Sequence, residues 1–381
     1  MWIDSHEIGD FQEEMFGEYI APQARQSSIE FAFPNGMEVL MTGMMRAWQI
    51  AAEGSEHLTL ARRPLPIPGK GEVLIRVGAV SLNYRDKLVL EGSLLPEIPS
   101  LPFIPASDMA GDVIGIGQDV SRFKIGDRVT SQFWTTWTDG PAPADLGRYG
   151  LGGPLPGVLA EYVVLREDSI LLTASTLSNV EAATLPIAYL TAWFALMEGT
   201  PLQRGQTVIV QGTGGVSLAG LQIAQAAGAR VILTTRGTAK RERAMALGAW
   251  RVIDTSQTPN WADCVLAATD GHGADLILEV IGGDNLSQSI TAAADGGVIG
   301  IIGFLESRDS GVPLLPLMMK HIRLQGITVG HRRAFERLTH FIDTHTIKPI
   351  IDRIYEFDDA VNAFSHLDEG PFGKIVIKVR S

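Results

Sequence analysis

The sequence predicts an α/β protein in which a doubly wound parallel sheet is inserted into a β-rich barrel or sandwich domain. Three observations carry this. From Met45 onward the chain reads as short strands separated by Gly/Pro turns. From about residue 175 strands and helices alternate, and the strand cores are continuous Val/Ile/Leu runs, as in a parallel sheet covered on both faces. The C-terminal stretch then offers a helix, "RAFERLTHFIDTH", and a last strand, "GKIVIKV", which read as a return to the first domain.

The composition fits two domains. The chain has 381 residues, 45% hydrophobic and 19% charged, enough to bury a large core. Its 41 glycines and 20 prolines imply more tight turns than a helical bundle needs. A net charge of −12 without clustered Lys/Arg disfavours nucleic acid and anionic membrane surfaces as partners. The few local bases, Arg236, Lys240, Arg241 and Arg243, suit one phosphate rather than a duplex. Cys264 is the only cysteine, so no disulfide forms within the chain and no Cys-based zinc site exists; a cytoplasmic location is expected. The acidic N-terminus has no apolar core of the signal-peptide kind, and no apolar run approaches the ~20 residues that span a bilayer.

Four segments follow. Residues 1–44 carry eight acids and one base, Arg25, and read as a loosely docked acidic extension without a catalytic role. Residues 45–174 supply strands such as "GEVLIRVGAVSLN" and "LAEYVVL". Residues 175–330 open with a helix over "SNVEAATLPIAYLTAWFALMEG", capped by Ser178 and stopped by Gly199, and continue with the strand–helix alternation. Residues 331–381 are the return.

The most informative stretch is "VIVQGTGGVSLAGLQIAQAAG". Gly212, Gly214 and Ser217 occupy the G-x-G-x-x-G positions after an apolar strand, with Thr213, Gly215 and Val216 between and beside them. The first glycine permits the tight turn, the second lets a diphosphate approach the backbone, and the third position permits close helix–strand packing. The following helix aims its free N–H groups at that diphosphate. Where an NAD enzyme usually places an acid on the ribose 2′-OH, this chain has Thr235 and then Arg236, with Lys240 about one turn on. A carboxylate would repel a 2′-phosphate, whereas Thr and Arg accept one, so NADPH is the expected cofactor. The other reading makes Arg236 a solvated surface charge.

Taken in order, "SLNYRDKLVLEG", "IPASDMAGDVIGIGQDVSRFKIGDRV", "LAEYVV", "LPIAYLTAWFAL", the glycine turn, "ALGA" and "GKIVI" resemble the medium-chain dehydrogenase/reductase superfamily from Met45 to the C-terminus. The resemblance implies a Rossmann domain inserted into a GroES-like β-barrel catalytic domain, a small-molecule carbonyl, enone or quinone substrate, and a homodimer or homotetramer. Zinc-dependent members carry a catalytic Cys where this chain has Asn83 and a His–Glu pair where it has Ser107 and Asp108, so a zinc-free branch of the quinone oxidoreductase or alcohol dehydrogenase type is expected.

The same resemblance points to site residues. Tyr84 and Asn83 would face the nicotinamide cleft, Tyr84 donating to a carbonyl oxygen and Asn83 orienting it. Tyr84 also reads as a packing tyrosine whose hydroxyl is tied down. Thr191 would lie near the nicotinamide amide, or bond back to its own helix. Gly303, Phe304, Phe372, Gly373 and Lys374 are cofactor candidates by position. Trp134, Trp137 and Tyr149, on the loop replacing the zinc lobe, would line a substrate pocket or a subunit contact. The activity expected is reduction of an activated C=C or a quinone. The alternatives are a ketone reductase using the same cleft and a non-catalytic NADPH-binding protein.

Overall fold

A computed structural model describes residues 30–32, 38–40, 43–95 and 100–380. In the compact unit Met1–Gly43, β1 (Glu30–Ala32) pairs antiparallel with β2 (Glu38–Leu40), Glu30 opposite Leu40. The expectation of an acidic arm otherwise falls on residues outside the described ones. Everything from Met44 onward forms a second compact unit.

That unit begins with a hairpin of β3 (Met44–Ile50) and β4 (Leu58–Pro64). β5 (Glu72–Leu82) is the long central strand, buried along nearly its whole length. It leads through Asn83 into α1 (Tyr84–Leu90). β6 (Asp108–Ile116), β7 (Arg128–Ser131), β8 (Tyr162–Arg166) and β9 (Ile170–Leu172) complete the first half. Two register shifts along the β5–β6 ladder bend the pair, as closure toward a barrel requires.

The single helix expected from Ser178 to Gly199 is broken. Ser178 caps α2 (Asn179–Ala182), its hydroxyl accepting from the Glu181 N–H. Pro186 supplies no N–H, and over Leu185–Tyr189 the chain widens into a π-turn before α3 (Leu190–Met197). Then follow β10 (Thr207–Gln211), α4 (Gly215–Ala226), β11 (Arg230–Thr235), α5 (Thr238–Ala246), β12 (Arg251–Asp254), α6 (Trp261–Ala268), β13 (Ala274–Glu279), α7 (Asn285–Ala292), β14 (Ala293–Ile301), α8 (Leu314–Met319) and β15 (Arg323–Gly326). The six strands are all parallel, in the order β12-β11-β10-β13-β14-β15. The winding reverses between β10 and β13, which opens a crevice at their carboxyl ends, where such folds bind ligands.

The return comprises α9 (Arg332–His345), β16 (Ile351–Glu356), α10 (Ala360–His366) and β17 (Lys374–Lys378). β17 pairs antiparallel with β5, giving the seven-stranded mixed sheet its order β16-β17-β5-β6-β7-β9, with β8 on β5. α9 joins the two halves: Phe335, Leu338 and Ile342 share one apolar cluster with Leu190, Leu171 and Leu177. The Asp343 carboxylate accepts four hydrogen bonds, from the backbone and hydroxyl groups of Ser175 and Thr176. The core is therefore continuous between the sheets, which gives the crevice between them fixed walls.

Candidate active site

The glycine turn closes on itself and leaves open space above it. Gly212 takes φ +76°, a conformation disfavoured for residues with a Cβ, and its N–H donates to the Thr234 carbonyl at 2.7 Å. A Cβ at Gly212 or Gly214 would meet no protein atom within 4 Å, so the backbone there is bare toward the crevice. Ser217 folds its hydroxyl onto the Gln211 carbonyl at 2.5 Å. The close packing assigned to that position belongs to Gly220, whose Cβ would stand 2.5 Å from Leu278 Cδ1. Gly215, the first residue of α4, leaves no room for a Cβ, which would stand 2.6 Å from Lys374 Cδ. Val216 is half-buried beside it, and Thr213 is buried with its carbonyl accepting the Gly373 N–H at 2.9 Å. Gly373 also bridges to Gly214, so the C-terminal loop is strapped to the turn by backbone alone.

At the far end of β11, Thr235 is buried and Arg236 exposed. Lys240 donates to the Gly370 carbonyl at 2.6 Å. Arg243 lies 3.9 Å over the ring of Phe372, which is buried beneath the basic corner. Sequence reasoning missed Asp254, opposite Thr235 on β12. Its Oδ1 accepts from Ser256 Oγ at 2.6 Å and from the Gly237 N–H at 3.4 Å, and these hydrogen bonds, Ser256 first, hold the carboxyl below its usual range despite some desolvation.

Asn83 and Lys374 bond directly to one another. Lys374 is only 3% exposed, and its Nζ donates to Asn83 Oδ1 at 2.5 Å and to the Leu82 carbonyl at 2.6 Å. Asn83 Nδ2 donates to Asp108 Oδ2 at 2.8 Å, so both ends of its amide bond within the protein and one N–H is left over. Asp108 is wholly buried and accepts further from Ser107 Oγ at 2.9 Å and the Ile187 N–H at 3.2 Å. Desolvation pushes the Asp108 carboxyl up and the Lys374 ammonium down, and their mutual attraction opposes both shifts. The reason is topological: β17 lies against β5, which brings a residue from the end of the chain under the start of α1.

Next along, Asp86 accepts the Asn83 N–H at 2.8 Å, and burial raises its carboxyl to about 6 against the pull of Arg85. Arg85 and Asp86 pair at 3.3 Å. Arg85 also donates to the carbonyls of Leu151, Gly152 and Gly153 and lies over Phe133, fixing the wall beside α1. Tyr84 stands out from this network: it is 45% exposed, and its hydroxyl bonds no described residue. Of the two readings of Tyr84, the tied-down packing tyrosine is not the one seen. Thr191 is buried on α3, and its hydroxyl likewise bonds no described group, its own helix included.

Gly303 owes its lack of a Cβ to the protein, since one would lie 2.4 Å from the Val280 carbonyl, while Phe304 is exposed next to it. Under this loop sits Glu279, another residue the sequence reading passed over. It is fully buried and accepts from Gln211 Nε2 at 2.9 Å, Asn285 Nδ2 at 3.0 Å, the Ile281 and Gly282 N–H groups at 3.0 Å, and Ser289 Oγ. It knots the carboxyl ends of β10 and β13 together at the reversal point. Trp137 is buried against Phe194 and His331, and Trp134 Nε1 donates to the Thr328 carbonyl, so these two are packed between the sheets. Tyr149 is half-buried.

Two family models match the chain: an alcohol dehydrogenase GroES-like domain over residues 69–175 and a zinc-binding dehydrogenase over residues 215–344. A zinc-type alcohol dehydrogenase-like protein of Schizosaccharomyces pombe is 37% identical over 81% of this chain and 91% of its own length. The quinone oxidoreductase of Homo sapiens is 27% identical over 88% of this chain and 98% of its own. Among solved structures, an alcohol dehydrogenase-type chain of Sinorhizobium meliloti superposes with a TM-score of 0.85 at 48% identity, covering 89% of this chain and all of that one. With a GroES-like domain, a parallel nucleotide-binding sheet and relatives of both types, the chain belongs to the medium-chain dehydrogenase/reductase superfamily of NAD(P)-dependent oxidoreductases, of the alcohol dehydrogenase and quinone oxidoreductase kind.

Proposed function

We propose that the chain is an NADPH-dependent, zinc-independent reductase of an activated C=C or a quinone. Residues 45–174 and 331–381 form its catalytic domain around a nucleotide domain at 175–330, and it works in the cytoplasm as a homodimer or homotetramer. The observation that carries the reading is the exposed Tyr84 with its uncommitted hydroxyl, following Asn83, which binds the same Lys374 that packs on Gly215 of the bare glycine turn.

The bare backbone of Gly212–Gly215 at the start of α4 fits a diphosphate, and Arg236 and Lys240 suit a 2′-phosphate. When bound, the reduced nicotinamide supplies the hydride. The chain's own part is to hold the substrate oxygen and supply a proton: Tyr84 Oη donates to that oxygen as negative charge builds there. Thr191, with its hydroxyl uncommitted, is assigned as the second polar contact.

Zinc does not fit the residues present. The positions that carry ligands in zinc-dependent members hold an amide bonded at both ends, a hydroxyl and a carboxylate facing the Lys374 ammonium. A buried ammonium repels a dication, and no step is assigned to one.

The test is a screen of enones, quinones and ketones with each dinucleotide, with product identification. A saturated ketone from an enone supports the reading, and an allylic alcohol would make the chain a ketone reductase instead. Binding of NADPH without turnover of any acceptor would leave a non-catalytic binding protein. Arg236→Ala should weaken NADPH binding about tenfold and leave NADH unchanged; equal losses for both would remove the 2′-phosphate assignment. Stoichiometric zinc in purified active protein would refute the zinc-free assignment.

A further inference from the structure

Resting on the reductase reading, we propose that Lys374 is a positioning residue that couples the proton-donating turn at Tyr84 to the dinucleotide-binding turn at Gly212–Gly215. The two turns come from different domains, and their relative placement sets how a bound dinucleotide faces a substrate held at Tyr84. Two adjacent residues of the C-terminal loop join them. The Gly373 N–H binds the Thr213 carbonyl at 2.9 Å, and Gly373 bridges to Gly214. One residue on, the Lys374 ammonium binds the Leu82 carbonyl and Asn83 Oδ1, the last two anchor points before Tyr84. Between these ends the Lys374 stem runs against Gly215, where a Cβ would stand 2.6 Å from its Cδ.

The chemistry of the anchor makes it stiff. Lys374 takes two charge-assisted bonds of 2.5 and 2.6 Å in a dry setting, and Asn83 passes the connection to Asp108 at 2.8 Å. Asp108 is in turn fixed by Ser107 and by the Ile187 N–H, on the π-turn that leads into α3 and Thr191. One ammonium therefore ties together the start of α1, the start of α4 and the approach to α3. A rigid support of this kind holds reacting groups in register, and a misplacement of about 1 Å can slow a reaction on the order of 10²-fold.

The experiment uses full-length protein and three variants: Lys374→Met, Lys374→Arg and the double variant K374M/D108N. The double variant removes the buried carboxylate that Lys374→Met leaves uncompensated, which keeps the fold testable. Amide hydrogen exchange without any acceptor should speed up in Lys374→Met at residues 83–90 and 212–218 together. Turnover should fall on the order of 10²-fold, with the dinucleotide Kd changed less than about threefold, since Lys374 is buried with its ammonium on Leu82 and Asn83. Lys374→Arg should recover part of the turnover. K374M/D108N should regain the wild-type melting midpoint and keep the slow turnover.

If the double variant regains both, Lys374 is only a counter-charge and the proposal is overturned. It is equally overturned if Lys374→Met leaves exchange at both turns unchanged, or weakens dinucleotide binding in step with turnover. A wild-type protein that reduces no acceptor defeats the reductase reading instead, and the exchange data then judge the coupling by themselves.

Discussion

Tyr84 and Asp86 sit two residues apart and meet opposite fates. The ring of Tyr84 is exposed and its hydroxyl uncommitted, so Tyr84→Phe removes a proton donor without opening a cavity. The expected outcome is a loss of roughly 10²-fold in kcat, the low end for a positioned acid, with unchanged thermal stability and dinucleotide Kd. Unaltered steady-state kinetics would remove Tyr84 from the mechanism. Asp86 is buried, and desolvation lifts its carboxyl from the ordinary 3.8 to about 6. The folded protein thus holds this proton more tightly than the unfolded chain, and the associated stability is complete below about pH 4 and lost as the pH rises through 6. The effect amounts to about 3 kcal/mol at most. Urea midpoints of wild type and Asp86→Asn at pH 4 and pH 7 check this: wild type should lose ground to the variant at the higher pH, and a pH-independent gap would contradict it. The motif "NYRD" drew attention to these residues in the sequence, but their separate environments were not legible there. Which of four neighbours faces the crevice depends on β17, contributed from some 290 residues away.

At the level of elements, the glycine turn was legible because its requirements are local: a bare backbone after an apolar strand and before a helix. The knot beneath it was not. Glu279 closes β13 after a run of apolar residues, and sequence gives no sign that Gln211 of β10 and Asn285 and Ser289 of α7 converge on it. Glu279→Ala leaves at least three buried or half-buried donors without an acceptor, so a loss of about 2–4 kcal/mol is expected, read as a shift in urea midpoint. Because the knot fixes the loop at Ile281–Gly282, dinucleotide affinity should fall with it. A stable variant with altered affinity alone would mean that Glu279 acts on the ligand rather than on the fold. The helix predicted over Ser178–Gly199 failed at Pro186 for the same kind of reason. The pattern of apolar residues there is helical, but the missing N–H lets the chain widen into a π-turn that places the Ile187 N–H on Asp108.

Across the whole molecule, the six-stranded sheet ends on β15, which pairs β14 on one side and has no second neighbour among the described residues. All four residues of β15 are exposed, which leaves a row of N–H and C=O groups open to pairing. Just before it in the chain, α8 exposes Leu314, Leu315, Met318 and Met319, with Leu315 at 70% and Met319 at 71%. Isolated exposed apolar side chains need no explanation, but four on one short helix next to an open strand form a patch of the kind that marks an interface. A second copy related by a two-fold axis would pair β15 with its own equivalent, antiparallel, and cover both helices at once. Each large side chain so buried contributes about 1.5–3 kcal/mol, which suits a stable homodimer. A net charge of −12 on each chain opposes association at long range, so dimerisation should strengthen with added salt. The Leu315→Arg/Met319→Glu variant should halve the mass seen by sedimentation velocity while keeping the wild-type melting profile at low concentration. A wild-type monomer, or a variant that stays dimeric, would place the assembly surface elsewhere and leave the apolar helix without this role.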